Sequence, residues 1–122
     1  MNKILIVEDN ADVASLLHDL LVRQGYDVSV CYDGIQGFEF AQRQKPNLIL
    51  LDLMLPGGGG FYVLERLKLS TMTKFIPVVV LTASKDPEHR KKAEDMDVAA
   101  FVEKPYDNKQ LLTIIQGVIA SD

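Results

Sequence analysis

Five short apolar runs rich in Ile, Val and Leu, each followed by a helical pattern, constrain this chain more than any other feature. The runs are Ile4 to Val7, Val28 to Val30, Leu48 to Leu51, Val78 to Leu81 and Ala99 to Val102. They lack the polar–apolar alternation of a half-solvated strand, so they predict strands buried on both faces, as in a parallel sheet. Between them, Val13, Leu16, Leu17, Leu20 and Leu21 recur at helical spacing behind Asn10, the expected N-cap. Ile35, Phe38 and Ala41 form a weaker stripe and Val63, Leu64 and Leu67 another. Leu111, Leu112, Ile115, Val118 and Ile119 make the last helix strongly amphipathic. Turn residues fall at the divisions. Gly25 ends the first helix, Asp33-Gly34 opens the second, Lys45-Pro46-Asn47 closes it, and Asp86-Pro87 starts a helix running to about Asp95. Crossovers between parallel strands are right-handed, so the expected fold is α/β: a doubly wound, five-stranded parallel sheet with helices on both faces.

Composition narrows the function classes. The 122 residues suffice for one domain, and 48% apolar with 25% charged residues can build a core. The single cysteine, Cys31, allows no internal disulfide, zinc ribbon or CxxC site. As a nucleophile it would need His18 or His89 for its base; a half-buried cysteine at a strand end is the simpler expectation. The net charge of −4 argues against a nucleic-acid footprint. The one basic cluster, Arg90-Lys91-Lys92, lies among Glu88, Glu94 and Asp95 and reads as a solvated helix face. No apolar run approaches the ~18 residues of a membrane span. Ile4 to Val7 meet Glu8-Asp9 too soon for a signal-peptide core. The expectation is a cytoplasmic protein without membrane or direct nucleic-acid contact.

In an open α/β sheet the ligand site lies beyond the carboxyl ends of the strands. Glu8-Asp9 follow the first run, Cys31-Tyr32-Asp33 the second, Asp52 the third, Thr82 the fourth and Glu103-Lys104-Pro105 the fifth. If strands one, three, four and five are neighbours, three carboxylates, a hydroxyl and an ammonium share one edge. Clustered carboxylates call for a cation, and hard oxygen ligands suit Mg²⁺, which shares its shell with water and phosphate. A carboxylate there can be a nucleophile that forms an aspartyl phosphate. The metal and Lys104 would offset charge on the phosphoryl oxygens while Thr82 donates a hydrogen bond to one of them. Asp52 ends the most apolar strand and is the best nucleophile candidate. Singly each signal is weak: an Asp after a strand is ordinarily a turn or cap residue, and Glu8-Asp9 could simply favour a helix N-terminus. Their joint placement carries the reading.

These residues resemble the receiver domain of two-component response regulators, most closely the chemotaxis-type and sporulation-type single receivers. The resemblance spans essentially the whole chain. It rests on Ile4-Leu5-Ile6-Val7-Glu8-Asp9-Asn10, Leu50-Leu51-Asp52-Leu53-Met54-Leu55-Pro56-Gly57 with Gly60-Phe61, Val80-Leu81-Thr82-Ala83 and Phe101-Val102-Glu103-Lys104-Pro105-Tyr106. It implies a flavodoxin-like (βα)5 fold of strand order 2-1-3-4-5, with Asp52 as phosphoacceptor from a sensor histidine kinase or phosphotransfer protein. It also implies Glu8, Asp9, Asp52 and the backbone carbonyl of Met54 around Mg²⁺, and Lys104 paired with the phosphoryl group. Thr82 and Phe101 match the switch pair, and the Lys104-Pro105 peptide is expected cis. The chain would then be a signalling switch that reads out to a downstream protein target or a fused output domain. Its only chemistry would be self-catalysed phosphoacceptance and slow autodephosphorylation.

Two departures stand out. Gly58 and Gly59 replace a large residue and an Asp, and Asp97 replaces the glycine that usually closes helix four. The run Gly57 to Gly60 is expected as a loop beside the phosphorylation site that leads into the helix of Phe61, Val63, Leu64 and Leu67, with Gly60 serving the turn. A haloacid-dehalogenase-type phosphatase is the enzyme rival, but its second Asp, two residues after the nucleophile, would fall at Met54. A third reading is a flavodoxin-like binder of a phosphorylated ligand or an unphosphorylated pseudo-receiver. The intact set of Asp9, Asp52, Thr82 and Lys104 argues against it. The sequence ends at Asp122, directly after the last helix, which leaves open a single-domain regulator and a piece of a larger protein.

Overall fold

The computed structural model describes residues 2–56 and 59–121. Strands and helices alternate as β1 (Lys3–Val7), α1 (Ala11–Arg23), β2 (Asp27–Cys31), α2 (Gly34–Gln44), β3 (Leu48–Asp52), α3 (Gly59–Leu69), β4 (Val78–Thr82), α4 (Pro87–Asp95), β5 (Ala100–Glu103) and α5 (Asn108–Ala120). The sheet is parallel with order β2-β1-β3-β4-β5, as expected. The fifth strand starts one residue later than its apolar run, at Ala100, and takes in Glu103.

Burial on both faces explains the unbroken apolar runs. Leu5, Val7, Ile49, Leu51, Val78 and Val80 face one core with Phe38 and Ala41 of α2 and Val63, Leu64 and Leu67 of α3. Ile4, Ile6, Leu48, Leu50, Val79 and Leu81 face the other, against Leu17 and Leu21 of α1 and Leu111 and Ile115 of α5. Each buried Leu or Ile is worth roughly 1.5–3 kcal/mol relative to exposure, so the central strands β1, β3 and β4 anchor the domain. Because these strands are buried and in register, their carboxyl ends form a level platform.

Helix ends follow the local chemistry. The Asn10 side chain accepts from the Asp12 and Val13 N–H groups, Asp33 caps α2 through Gln36, and Asp86 caps α4 through Glu88 with Pro87 next to it. Gly25 takes φ 91° after α1, whereas α2 closes in a left-handed Lys45 at φ 46° just before Pro46. Asp97 occupies the left-handed position at φ 58° where the family prefers glycine. The Lys68 ammonium donates to the Asp97 carbonyl at 3.1 Å, and burial lowers its pKa, with Asp97 opposing that shift.

Four expectations are corrected. Gly59 and Gly60 are the first two residues of α3 rather than a loop before it, while Gly57 and Gly58 lie outside the described residues. Gly60 does not serve a turn: it is buried, and a Cβ there would collide with the Leu53 carbonyl. The basic cluster on α4 is not simply solvated. Arg90 sits over the Phe101 ring at 5.2 Å and Lys92 over Phe61 at 4.3 Å, so their stems and charges cover aromatic surface. Cys31 is buried at the end of β2 rather than half-buried.

Candidate functional site

The register of the sheet brings the predicted polar residues to one edge. Val7 pairs with both Cys31 and Leu51, Asp52 with Leu81, and Thr82 with Glu103, so the carboxyl ends of β1, β3, β4 and β5 are level. Strand order reverses around β1, since its neighbours β2 and β3 leave in opposite directions, and a crevice opens there. Glu8 and Asp9 emerge on its β1 side and Asp52 on its β3 side.

One carboxylate oxygen from each of Glu8, Asp9 and Asp52 lies within 4.8 Å of the other two. Glu8 and Asp52 are buried, and Asp9 is exposed. Lys104 Nζ reaches Glu8 Oε1 at 3.2 Å and stands 3.9 Å from Asp52 Oδ2. Glu8 Oε2 accepts from the Asn10 N–H at 3.2 Å, and Asp52 Oδ1 accepts from the Met54 N–H at 3.0 Å. Each buried carboxylate therefore has partners, but three negative charges face one ammonium. That deficit, with hard oxygen donors on a half-open face, is the donor set of a small divalent cation.

Thr82 is fully buried at the end of β4, and its Oγ1 accepts from the Ser84 N–H at 2.9 Å. The Lys104 N–H donates to the Thr82 carbonyl at 2.7 Å, which ties β5 to β4 beside the pocket. The Lys104-Pro105 peptide is cis. Phe101 lies half-buried on β5, paired with Val80 two residues before Thr82, at the edge of the α2–α3 core. Met54 follows Asp52 on the turn, with its side chain half exposed and its backbone at the pocket. The structure thus gathers Glu8, Asp9, Asp52 and Lys104 in one cluster and sets Thr82 and Phe101 on the adjoining strands.

The thiol alternative has no support. Burial and the nearby Asp33 carboxylate raise the Cys31 pKa, opposed by Arg43. His18 pairs with Asp19 and His89 with Ser84. Beside the cluster, burial and then the Glu8 charge push the Tyr106 phenol up. Tyr106 and Pro105 form one wall of a groove of about 450 Å³ whose other wall is Val13, Leu16, Leu17 and Leu20 of α1. Leu16 is largely exposed there.

Sequence reasoning missed the supports of the β4–α4 loop. Ser84 Oγ lies 2.6 Å from His89 Nδ1 and accepts from the Asp86 N–H at 3.2 Å. Lys85 Nζ reaches Glu103 Oε2 at 3.1 Å and the Lys104 carbonyl at 3.0 Å. A hydroxyl two residues after Thr82, with a histidine one turn into the next helix, was the available signal.

The whole-chain likeness to known proteins agrees with this geometry. The chain is 35% identical over 119 residues to the DNA-binding dual master transcriptional regulator RpaA of Synechocystis, matching 98% of this chain and 49% of that protein. It is 34% identical over 117 residues to the phosphate regulon transcriptional regulatory protein PhoB of Escherichia coli, matching 96% of this chain and 51% of that protein. The chain spans about half the length of these relatives. Among solved structures, the Vibrio cholerae chemotaxis protein CheY4 superposes with a TM-score of 0.89 at 26% identity, covering 97% of this chain and 98% of that one. The receiver domain of the sensor histidine kinase PA1611 from Pseudomonas aeruginosa, with a magnesium ion coordinated in its active site cleft, gives 0.88 at 28% identity over 98% of each chain. No helix among the described residues is long and apolar enough to cross a membrane. The family model for the response regulator receiver domain matches residues 4–116, from β1 through the acidic cluster and Lys104 into α5, and the chain belongs to that family.

Proposed function

We propose that Asp52 accepts a phosphoryl group in a Mg²⁺-dependent reaction and that the chain is the switch this modification sets. The observation that carries the reading is the cluster of Glu8, Asp9 and Asp52 oxygens within 4.8 Å, with Lys104 as its ammonium. Glu8, Asp9, Asp52 and the Met54 carbonyl would hold the ion. When bound, it neutralises the carboxylates and withdraws charge from the transferring phosphoryl oxygens. The magnesium in the cleft of the PA1611 receiver domain supports that assignment.

The chain's own residues do the rest. An Asp52 carboxylate oxygen forms a bond to phosphorus as the P–N bond of a phosphohistidine donor breaks. The electron pair stays on the imidazole nitrogen, which takes a proton from solvent. Lys104, already between Glu8 and Asp52, turns its ammonium to the new phosphoryl oxygens, and Thr82 donates its hydroxyl proton to one of them. Thr82 then leaves space for Phe101 to rotate inward, so that the α4–β5 face changes for a downstream partner. The donor is a sensor histidine kinase or phosphotransfer protein, and the exposed Leu16 groove beside Lys104 is where it would rest. Hydrolysis of the acyl phosphate returns Asp52 to a carboxylate. The domain needs no other chemistry.

Intact-mass measurement after treatment with acetyl phosphate tests this. One phosphoryl group should appear with Mg²⁺, disappear with a chelator, and be absent in Asp52→Asn. A metal-independent product, or one mapped to His18 or His89, overturns the assignment.

A further inference from the structure

We infer that His89 is a positioning residue for the chemistry at Asp52, acting through Ser84 on the Thr82 hydroxyl. The inference rests on the proposed role of Thr82 as hydrogen-bond donor to the phosphoryl group. The Thr82 oxygen accepts from the Ser84 N–H, which leaves its proton free to be donated. How well that proton is aimed depends on what fixes Ser84. A turn of this kind held only by its own backbone would be free to rock.

Here it is held from outside. Ser84 Oγ accepts from the Asp86 N–H and lies 2.6 Å from His89 Nδ1. His89 Nε2 faces the Asp86 carboxylate, Oδ2 at 3.9 Å, which favours the ring proton on Nε2, and in that tautomer Nδ1 accepts the Ser84 hydroxyl proton. The imidazole is fixed in turn by Phe61 of α3, whose ring meets it edge-on at 5.7 Å and 62°. On the opposite side, Lys85 pins the same loop to Glu103 and to the Lys104 carbonyl. The chain His89–Ser84–Thr82 therefore links the first turns of α4 and α3 to a buried hydroxyl on the strand next to Asp52. None of these groups belongs to the acidic cluster, so the link sets the donor's position without touching the metal site.

The test uses His89→Ala, Ser84→Ala, their double variant and His89→Asn, whose amide can take the place of Nδ1. With acetyl phosphate and Mg²⁺, each alanine variant should phosphorylate about tenfold more slowly, short of the ~100-fold or more that loss of a direct donor costs. The double variant should be no slower than either single one, because both break the same chain. His89→Asn should recover most of the rate. Mg²⁺ affinity by calorimetry should stay within about twofold of the parent throughout. In the unphosphorylated protein, the Thr82 methyl resonance should shift in His89→Ala and return toward the parent position in His89→Asn. Single losses that multiply in the double variant, an Asn variant as slow as the Ala variant, or an unmoved Thr82 methyl each overturn the inference. A parent protein that takes no phosphoryl group overturns the functional reading instead, and the Thr82 methyl still decides whether His89 sets its position.

Discussion

The guanidinium of Arg90 lies 5.2 Å from the centroid of the Phe101 ring, so a side chain of α4 roofs the aromatic residue of β5. Arg90 is itself steadied by Glu94 at 3.6 Å, one turn on. A half-exposed cation–π contact of this kind is worth roughly 0.5–1 kcal/mol. Phe101 carries no hydroxyl that could bond to solvent or backbone in an outward position. In the proposed rotation of Phe101, the contact with Arg90 holds the ring where the structure places it. Arg90→Ala should lower unfolding stability by about 1 kcal/mol or less and move Phe101 toward its inward rotamer before any phosphorylation. Chemical denaturation and the Phe101 ring resonances report the two effects. A destabilised protein with unchanged ring resonances would show that Arg90 supports the fold and not the state of Phe101.

Helix α4 should exchange its amides faster than the other helices. It buries only Ala93, whereas α1 buries Ala14, Leu17 and Leu21, and α5 buries Leu111 and Ile115. Its other holds on the domain include the aromatic cover of Arg90 and Lys92, the His89 contacts and the Lys92–Glu65 ion pair, all near the surface. Few buried apolar contacts mean a low free energy of local opening. Binding of beryllofluoride as a phosphoryl mimic should slow exchange across residues 87–95. Equal protection of all five helices, with and without the mimic, would count against α4 as the moving element.

Much of this was legible in the sequence, for identifiable reasons. Leu48 to Leu51 read as a doubly buried strand because no polar residue interrupts them, and β3 is buried throughout. Glu8, Asp9 and Asp52 read as a cluster because they stand at the carboxyl ends of strands of one parallel sheet, Glu8 and Asp9 just past β1 and Asp52 closing β3. Contacts between helices were not legible. The stripe of α3 shows which face is apolar, but not that Lys92 and His89 of α4 would meet Phe61. Those pairings depend on the crossing of two elements whose separation in sequence carries no periodic signal. Gly60 was misread for a similar reason. In a run of glycines nothing distinguishes the residue that a neighbouring backbone requires from those that it tolerates.

The Tyr106 phenol should titrate above its ordinary value of about 10, first because it is buried and second because Glu8 stands nearby. A pKa raised on folding means that the folded state favours the neutral phenol. Its contribution to stability is fully present below the unfolded value and is lost as pH rises through the folded one. Absorbance titration of the parent against Tyr106→Phe isolates this phenol from Tyr26, Tyr32 and Tyr62. Glu8→Gln should lower the midpoint only in part, because burial is the larger cause and remains. A full return to the ordinary value in Glu8→Gln would show that charge, not burial, controls the group.

Gly59 and Gly60 are neighbours in one helical turn, yet substitution should have opposite results. Among the described residues, a Cβ on Gly59 meets only the Leu55 Cβ, at 3.4 Å, an ordinary contact. Replacing that glycine reduces the freedom of the unfolded chain, worth about 0.4–1 kcal/mol. An Asp there adds a carboxylate to the first turn of α3, which has no acidic residue, where the helix dipole favours it by roughly 0.3–1 kcal/mol. Gly59→Asp should therefore raise the denaturation midpoint and leave Mg²⁺-dependent phosphorylation intact. At Gly60 a Cβ meets the carbonyl, carbonyl carbon and Cα of Leu53, a stretch of backbone with no flexible end to move aside. Overpacking against side chains costs about 1–3 kcal/mol, and Gly60→Ala should fall at the upper end of that range. The damage should reach the chemistry as well. Leu53 adjoins Asp52 and its N–H is bonded to the Leu81 carbonyl at 2.9 Å, so a shift of this turn also disturbs the Met54 N–H that holds Asp52 Oδ1. Denaturation curves and acetyl phosphate kinetics on the two single variants decide the matter. A Gly60→Ala protein as stable and as reactive as the parent would mean that the approach of α3 to the Asp52 turn can relax, and that its closeness does not hold Asp52 in place.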